Sequence, residues 1–185
     1  MSKQLQEIDA DLAAWITQQR VFFVATAPLS GDGHINVSPK GGDAFRILGP
    51  LEIAYQDYTG SGAEAAGHLQ ENGRIVIMFC AFDGSPRICR LHGRGTLIRP
   101  GDGRFAELAA LFPANAGTRA FVHVAVKRVS TSCGYGVPYF DFRSHRDALD
   151  KWATTQGPDK LAGYRATKNQ KSIDGLPAFK SDARH

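Results

Sequence analysis

Long apolar runs are absent from the sequence: none approaches the roughly 20 residues that a membrane-spanning helix needs. The first residues also lack the basic and then apolar order of a secretory signal. Of the 185 residues, 43% are hydrophobic and 22% are charged, which is ordinary for a soluble globular chain. We therefore predict a cytoplasmic protein with one core and no membrane partner.

Cysteine is scarce, and its three copies cannot all pair within one chain. Cys80 and Cys89 lie in apolar, strand-like runs, which predicts buried and inert thiols. Cys133 follows three hydroxyl residues and precedes a glycine, so its setting is less ordinary. Because there is no Cys-x-x-Cys or histidine-rich cluster, the sequence predicts no metal site.

A dense basic stripe with interleaved aromatic residues, as in nucleic-acid-binding domains, is also missing. The formal net charge is only +4 at pH 7. An anionic small molecule explains this excess as well as nucleic acid does, and a solvated helical face explains it better than either. We predict a small-molecule ligand and no nucleic-acid partner.

The usual catalytic motifs are absent as well. The sequence has no Gly-x-x-x-x-Gly-Lys phosphate loop, no glycine fingerprint between a parallel strand and its helix, and no His-Glu-x-x-His. It also has no nucleophile elbow and no paired-carboxylate motif. The candidate chemistry is therefore restricted to a few short stretches of the chain.

Hydrophobic periodicity indicates an amphipathic helix at residues 5–16, followed by strands. Six strand-like segments lie at residues 21–27, 34–38, 51–55, 74–82, 87–98 and 121–129. Turn signals and only short helices separate them, which predicts a mainly β fold with some α: a closed antiparallel barrel rather than βαβ units. Gly93 and Gly95 indicate a bend or bulge within the fifth segment.

The chain changes character after the last strand. Ser144 and Pro158 predict the starts of two helices, and residues 168–185 are predicted to form an extended polar arm. We predict a barrel domain at residues 1–140, with a helical C-terminal extension and arm at residues 141–185 packed on it.

Two stretches could hold an anionic ligand. Residues 35–42 place Lys40 after an apolar strand and beside two glycines, where its ammonium group is either aimed into a cleft or exposed in a turn. Residues 58–62 precede a short helix, with Ser61 and Glu64 spaced as a capping box. Free amides and hydroxyls there form either a phosphate cradle or a plain helix cap.

A third stretch, residues 130–138, places hydroxyls, a thiol and a tyrosine between glycines. This composition is typical of a binding loop, and a tight exit turn from the last strand is the alternative.

In their order along the chain, these segments resemble one known family. The resemblance is carried by residues 22–27, 36–41, 57–62, 68–74, 78–82, 86–95, 133–138 and 168–177. Together they are similar to the FMN-binding split-barrel family related to pyridoxamine 5′-phosphate oxidase, over nearly the whole chain. The resemblance implies a six-stranded antiparallel split β-barrel with short peripheral helices and a helical C-terminal extension. It also implies a homodimer with FMN at the interface.

The resemblance further implies which residues contact the cofactor. The strand that ends at Lys40 runs along the flavin ring, and the turn after Tyr58 lies beside the ribityl chain and phosphate. The predicted cofactor-binding residues are Val37, Ser38, Pro39, Lys40, Tyr58, Thr59, Gly60, Ser61, Gly62, Arg87, Ser132 and Cys133. Of these, Ser132 and Cys133 are expected to reach the cofactor across the dimer. Cys133 and Tyr135 are the candidates for a catalytic proton donor.

The sequence departs from the vitamin-making oxidases at two places. Those enzymes place an Arg-Lys pair where this chain has Ala65 and Ala66, so phosphate binding must rely on Lys40, Arg87, hydroxyls and backbone amides. The C-terminal Arg-x-His element that binds pyridoxal phosphate is also absent. We therefore do not predict pyridoxamine 5′-phosphate oxidase activity itself.

These observations favour an FMN-dependent oxidoreductase that acts on an unidentified small molecule. The alternative is a non-catalytic barrel that binds flavin or haem, with His34, His68, His92 and His123 as possible axial ligands. For each of these histidines a structural role is the simpler interpretation. A dimeric scaffold without a cofactor is a third possibility, and a deazaflavin in place of FMN stays open.

Overall fold

The computed structural model describes residues 3–179. Its elements are β1 (Lys3–Leu5), α1 (Ala10–Gln18), β2 (Val21–Thr26), β3 (Asn36–Gly41), β4 (Phe45–Gly49), β5 (Glu52–Tyr58), α2 (Glu64–Glu71), β6 (Arg74–Cys80), β7 (Ile88–Ile98), α3 (Phe105–Ala109), β8 (Thr118–Ser132) and α4 (Ala148–Lys168). Within this part of the chain, no helix is both long enough and apolar enough to cross a membrane.

The strands form one antiparallel sheet in the order β3-β2-β6-β7-β8-β5-β4, and β1 pairs with β8. The sheet curls, since the rings of Phe22 on β2 and Tyr55 on β5 are 5.8 Å apart although three strands separate β2 from β5. Side chains of β2, β5, β6, β7 and β8 meet in one core with α1. The predicted class, a mainly β split barrel with peripheral helices, is confirmed. The closure predicted from the turn signals is wrong, because β3 and β4 are edge strands that do not pair in the described chain and the barrel is open between them.

The strand count is higher than the six predicted, because β1 and β4 were missed among the described residues. Residues 3–5 pair with β8, so the first helix begins only at Ala10, where the side chain of Asp9 accepts from the Leu12 amide. The strand predicted at residues 34–38 runs further than expected, to Gly41, so that Pro39 lies within β3, opposite Phe23. An edge strand tolerates proline because one of its sides has no ladder to complete.

The predicted bend in the fifth segment is confirmed. The register between β7 and β8 shifts between His92 and Gly93. A Cβ atom on Gly93 would overlap the carbonyl oxygen of Ala125 on the neighbouring strand, so glycine is required there. The predicted burial of Cys80 and Cys89 is confirmed as well, and loss of solvent raises the pKa of the Cys89 thiol to about 12.

The C-terminal extension consists of α4 and the arm that follows it. Ser144 does not begin a helix as predicted: Asp147 precedes the first turn of α4, and no side chain caps it. The helix start predicted at Pro158 is confirmed. Gly157, with φ 71°, breaks the helical conformation, so a second helical segment of α4 begins at Pro158 after a kink. The arm packs on α2 through Ala178 and Phe179, and residues 180–185 lie outside the described residues. The division at residue 140 stays a prediction.

Candidate functional site

A cleft of about 720 Å³ opens at the end of the barrel where β3 and β5 finish. The loop before β8 and the segment before α4 close its other sides. Five of the predicted cofactor-binding residues line it, namely Pro39, Lys40, Tyr58, Thr59 and Gly60. The structure therefore brings together the two stretches that the sequence singled out as anion sites.

Lys40 is paired inside this region rather than free. Its Nζ lies 2.9 Å from Oδ1 of Asp57 and 5.3 Å from the ring centroid of Tyr55. The second oxygen of Asp57 accepts from Nε of Arg119 at 2.7 Å. Asp57 is thus the carboxylate shared by a lysine from β3 and an arginine from β8. The cluster ties the edge strand β3 to β5 across the open side of the barrel.

The Asp57 carboxyl is ionised in this cluster. Its burial would raise the pKa, but the charges of Lys40 and Arg119 and their hydrogen bonds outweigh that effect and hold the pKa below its usual value. The side chains of Asp57 and Arg119 are nearly solvent-free, whereas that of Lys40 is 21% exposed. One carboxylate between two cations leaves a net positive charge at the edge of the cleft.

Asp57 and Arg119 were not among the predicted site residues, although the sequence carries a signal for Asp57. Asp57 continues the alternation of Ile53 and Tyr55 on β5, and side chains two apart share one face of a strand. A carboxylate on the face of the strand that points into the barrel needs a buried cationic partner. The partner itself was not predictable, because Arg119 is 62 residues away along the chain.

Thr59 is fully buried, and its hydroxyl is already engaged. Oγ1 donates to the carbonyl of Gly117 at 2.9 Å and accepts from Nε of Arg165 at 2.8 Å. The carbonyl of Gly60 accepts from Nδ2 of Asn169 at 2.8 Å and from Nη1 of Arg119 at 3.3 Å. The loop after β5 is therefore held by the C-terminal extension as well as by the barrel.

The predicted capping box at the start of α2 is wrong. Ala63 is the residue that precedes the helix, and no side chain caps it. The carboxylate of Glu64 folds back toward Gly62 instead, since a Cβ atom there would lie 2.9 Å from Oε2. Within the described chain, the backbone N–H groups of residues 60–66 have no hydrogen-bond acceptor. These unpaired donors lie at the positive end of α2.

The other predicted residues form a second group, away from the cleft of one chain. Ser132 accepts from Nη1 of Arg90 at 3.1 Å, and the guanidinium of Arg87 lies 5.3 Å from the ring centroid of Trp15. Cys133 and Tyr135 are exposed. None of these residues lines the cleft. A single chain therefore presents two separate patches of predicted site residues.

Ser38 and Val37 lie on opposite faces of β3. Ser38 Oγ donates to Asn36 Oδ1 at 2.9 Å, Asn36 Nδ2 donates to Thr26 Oγ1 at 3.3 Å, and Thr26 Oγ1 bonds Nδ1 of His68 at 2.9 Å. This chain of polar groups leads from the middle of β3 into the interior. Val37 points outward and is largely exposed. Ser61 and Gly62 are also exposed, at the tip of the loop.

Three of the four candidate haem-ligand histidines are bound to side chains of the protein itself. His34 pairs with Asp174, His123 pairs with Glu52, and His68 bonds to Thr26. His92 is partly buried, and its Nδ1 has no partner in the described residues. Burial lowers the pKa of both His68 and His92, so both are neutral near pH 7. Across residues 3–179, no group of three His, Cys, Asp or Glu is placed to hold a metal ion.

Solved structures resemble the barrel, and two of them serve as examples. A histidine-to-alanine variant of HupZ from Group A Streptococcus gives a TM-score of 0.52 at 20% identity and covers 68% of this chain and 99% of its own. A protein classed provisionally as a pyridoxamine 5′-phosphate oxidase from Lactobacillus delbrueckii gives 0.53 at 16% identity, over 69% of this chain and 98% of its own. At these identities the likeness extends to the fold alone.

Sequence comparison is more specific. The family model for pyridoxamine 5′-phosphate oxidase matches residues 8–133, from the helix before the barrel to the end of its last strand. A pyridoxamine 5′-phosphate oxidase family protein of Aspergillus flavus, ustO, is 38% identical over 196 residues, covering 97% of this chain and 78% of the relative. The family resemblance predicted from the sequence is confirmed: the chain belongs to the pyridoxamine 5′-phosphate oxidase family.

Proposed function

We propose that this protein is an FMN-dependent oxidoreductase that acts on a small molecule, with FMN bound in the cleft between Lys40 and residues 58–62. The observation that carries the proposal is that the loop beside this cleft and the start of α2 contain backbone N–H groups, at residues 60–66, that have no hydrogen-bond acceptor in the described chain. Such donors at a helix start suit a phosphate group. Membership of the pyridoxamine 5′-phosphate oxidase family supports a flavin as the ligand.

FMN, when bound, supplies two-electron redox chemistry, and the protein contributes binding, orientation and charge. Lys40 is the cation available to the flavin ring, although Asp57 already balances part of its charge. Pro39 and Val37 offer an apolar strand edge against which a planar ring can lie. Cys133 and Tyr135 remain the proposed proton donors, and they reach the ring only if a second subunit presents them.

A homodimer is part of the proposal, because one chain leaves apolar surface uncovered. Ile35, just before the edge strand β3, is 73% exposed, and Val37 within it is 62% exposed. Tyr135, in the segment after β8, is 84% exposed. A twofold interface buries the same patch from both subunits and is the commonest way to cover it. It would also bring the second group of predicted residues, Arg87, Ser132 and Cys133, to the partner's cleft. The cytoplasmic location predicted from the sequence belongs to the same proposal.

We expect the protein to bind FMN at least about a hundredfold more tightly than riboflavin. The phosphate adds charge-assisted hydrogen bonds, each contributing about 1.5–3 kcal/mol. Quenching of flavin fluorescence during titration measures both dissociation constants. Equal affinities would exclude the phosphate cradle. An absorption spectrum of the purified protein tests the cofactor class, since a Soret band would favour haem. If the protein shows no visible band after incubation with FMN and removal of the unbound ligand, only a scaffold role is left.

Replacing Lys40 by methionine is expected to weaken FMN binding and to lower the flavin reduction potential by about 30 mV or more, because the reduced anionic ring loses a neighbouring positive charge. Potentiometric titration of the bound flavin measures the shift. Lys127→Met, at an exposed position of β8, removes the same charge far from the cleft and should change neither quantity. If Lys40→Met also leaves both unchanged, Lys40 serves only as a partner of Asp57.

A further inference from the structure

Two guanidinium groups lie beside the loop after β5, and only one of them has a carboxylate partner in the described chain. Arg119 is paired with Asp57. Arg165, on the second half of α4, donates instead to neutral oxygens, the hydroxyl of Thr59 and the carbonyl of Thr118 at 3.2 Å. Loss of solvent and repulsion by Arg119 both lower the pKa of Arg165. A half-buried cation without a counter-ion is energetically unfavourable. Binding of an anion beside Arg165 would offset that cost.

The surroundings of Arg165 favour an oxyanion with several acceptor oxygens. Its Nη1 has no acceptor within residues 3–179, and the nearby N–H groups of residues 60–66 are unpaired as well. The hydroxyl of Ser61 is exposed and also has no partner in that range. Thr59 connects the two sets of donors, because it follows β5 directly and holds Nε of Arg165. A phosphomonoester can accept from all of these groups at once.

The helix behind the loop supplies no cation of its own. The first turn of α2 contains Glu64, Ala65 and Ala66, and the carboxylate of Glu64 opposes an anion. Ala66 is buried against Ala178 and Phe179 of the C-terminal arm, which leaves no room for a longer side chain there. Any positive side chain that contacts an anion at this helix start must therefore come from another element. Arg119 and Arg165 are both hydrogen-bonded to the loop, but the charge of Arg119 is already balanced by Asp57.

We propose that Arg165, carried by the C-terminal extension, binds the phosphate group of the FMN. This inference rests on the proposed function for the identity of the ligand, and on the unpaired donors around Arg165 for the anion site itself. Thr59 is a positioning residue, because it fixes Nε of the guanidinium and leaves Nη1 available. The C-terminal extension thus becomes part of the cofactor site.

The test compares FMN and riboflavin binding to the wild-type protein and to Arg165→Gln. We expect the dissociation constant for FMN to rise about ten- to a hundredfold and that for riboflavin to stay within twofold, since riboflavin lacks the phosphate. Lys168→Gln removes an equal charge from an exposed position of the same helix and should leave both constants unchanged. Arg165→Lys keeps the charge but loses the planar guanidinium with its several N–H donors. Its dissociation constant for FMN should lie between those of the wild-type protein and Arg165→Gln, and this variant replaces Arg165→Gln if the latter does not fold.

Inorganic phosphate provides a measurement that does not depend on flavin. Phosphate at millimolar concentration should raise the melting temperature of the wild-type protein, and the rise should disappear in Arg165→Gln. If the preference for FMN over riboflavin is as large in Arg165→Gln and Arg165→Lys as in the wild-type protein, the role of Arg165 is overturned while the proposed function stays intact. If the wild-type protein binds neither flavin, the proposed function fails. In that case, a rise in melting temperature with phosphate that requires Arg165 would still support the anion site. If phosphate causes no such rise, the anion site is overturned as well.

Discussion

Asp57→Asn is expected to lower the free energy of unfolding by about 3–5 kcal/mol, because the change leaves Lys40 and Arg119 side by side without their shared carboxylate. Urea denaturation at pH 7 measures the loss. The folded protein holds the Asp57 pKa below its unfolded value of about 3.9, so the stabilisation is present above that pH. It is lost as the pH falls through the lower, folded pKa. The difference between wild type and variant should therefore shrink only in strong acid.

An exposed carboxylate gives the matched control for this prediction. Asp43 pairs with Arg46 at 2.5 Å, but its side chain is 66% exposed. Asp43→Asn should therefore cost less than about 1 kcal/mol. Lys40→Met should cost less than Asp57→Asn, because Asp57 keeps its bond to Arg119. If Asp57→Asn proves no more harmful than Asp43→Asn, water reaches the cluster and the buried-pair interpretation is wrong.

Ile35→Asp is expected to convert the protein into a monomer and to weaken FMN binding at least about hundredfold, since two or more contacts from the second subunit would be lost. Ile35 is exposed in one chain, so a carboxylate there costs the isolated barrel little, whereas in a twofold interface it meets apolar surface. Sedimentation should give a species near twice 20.1 kDa for wild type and near 20.1 kDa for the variant.

Leu51→Asp makes the same chemical change in the turn between β4 and β5, where the side chain is also exposed. It should remain a dimer that binds FMN normally. A wild-type monomer that binds one FMN tightly would contradict the two-subunit site. In that case Ser132 and Cys133 would have no cofactor role, and the cleft of one chain would hold the whole ligand.

The barrel was predictable because its main strands carry local signals. The apolar runs around Phe22 and Phe79 and the glycine at position 93 each indicate strand, core or bulge without knowledge of the rest of the chain. The strand β1 was not predictable, because Lys3–Leu5 has no apolar alternation and forms only by pairing with β8. The extent of β3 was missed because the edge position that tolerates Pro39 is a property of the whole sheet.

The candidate site was predictable only in its local parts. Lys40 and the loop at residues 58–62 stand beside glycines and a helix start, which single them out within a few residues of sequence. Arg165 carried no such signal. Its contact with Thr59 spans 106 positions, and on its own helix it resembles an ordinary basic residue. Side chains that act through contacts of this length are identified only once the chain has folded.

The hydrogen bonds from Arg165 and Asn169 to the loop after β5 determine when that loop can reach its final structure during synthesis. Arg165 and Asn169 come more than a hundred positions after the loop that they hold, and both follow the last strand of the barrel. A chain emerging from the ribosome can form the barrel before these residues exist, since N-terminal parts fold first. The loop acquires its final contacts only after α4 has been synthesised. Cofactor loading would then wait for α4 as well as for the barrel.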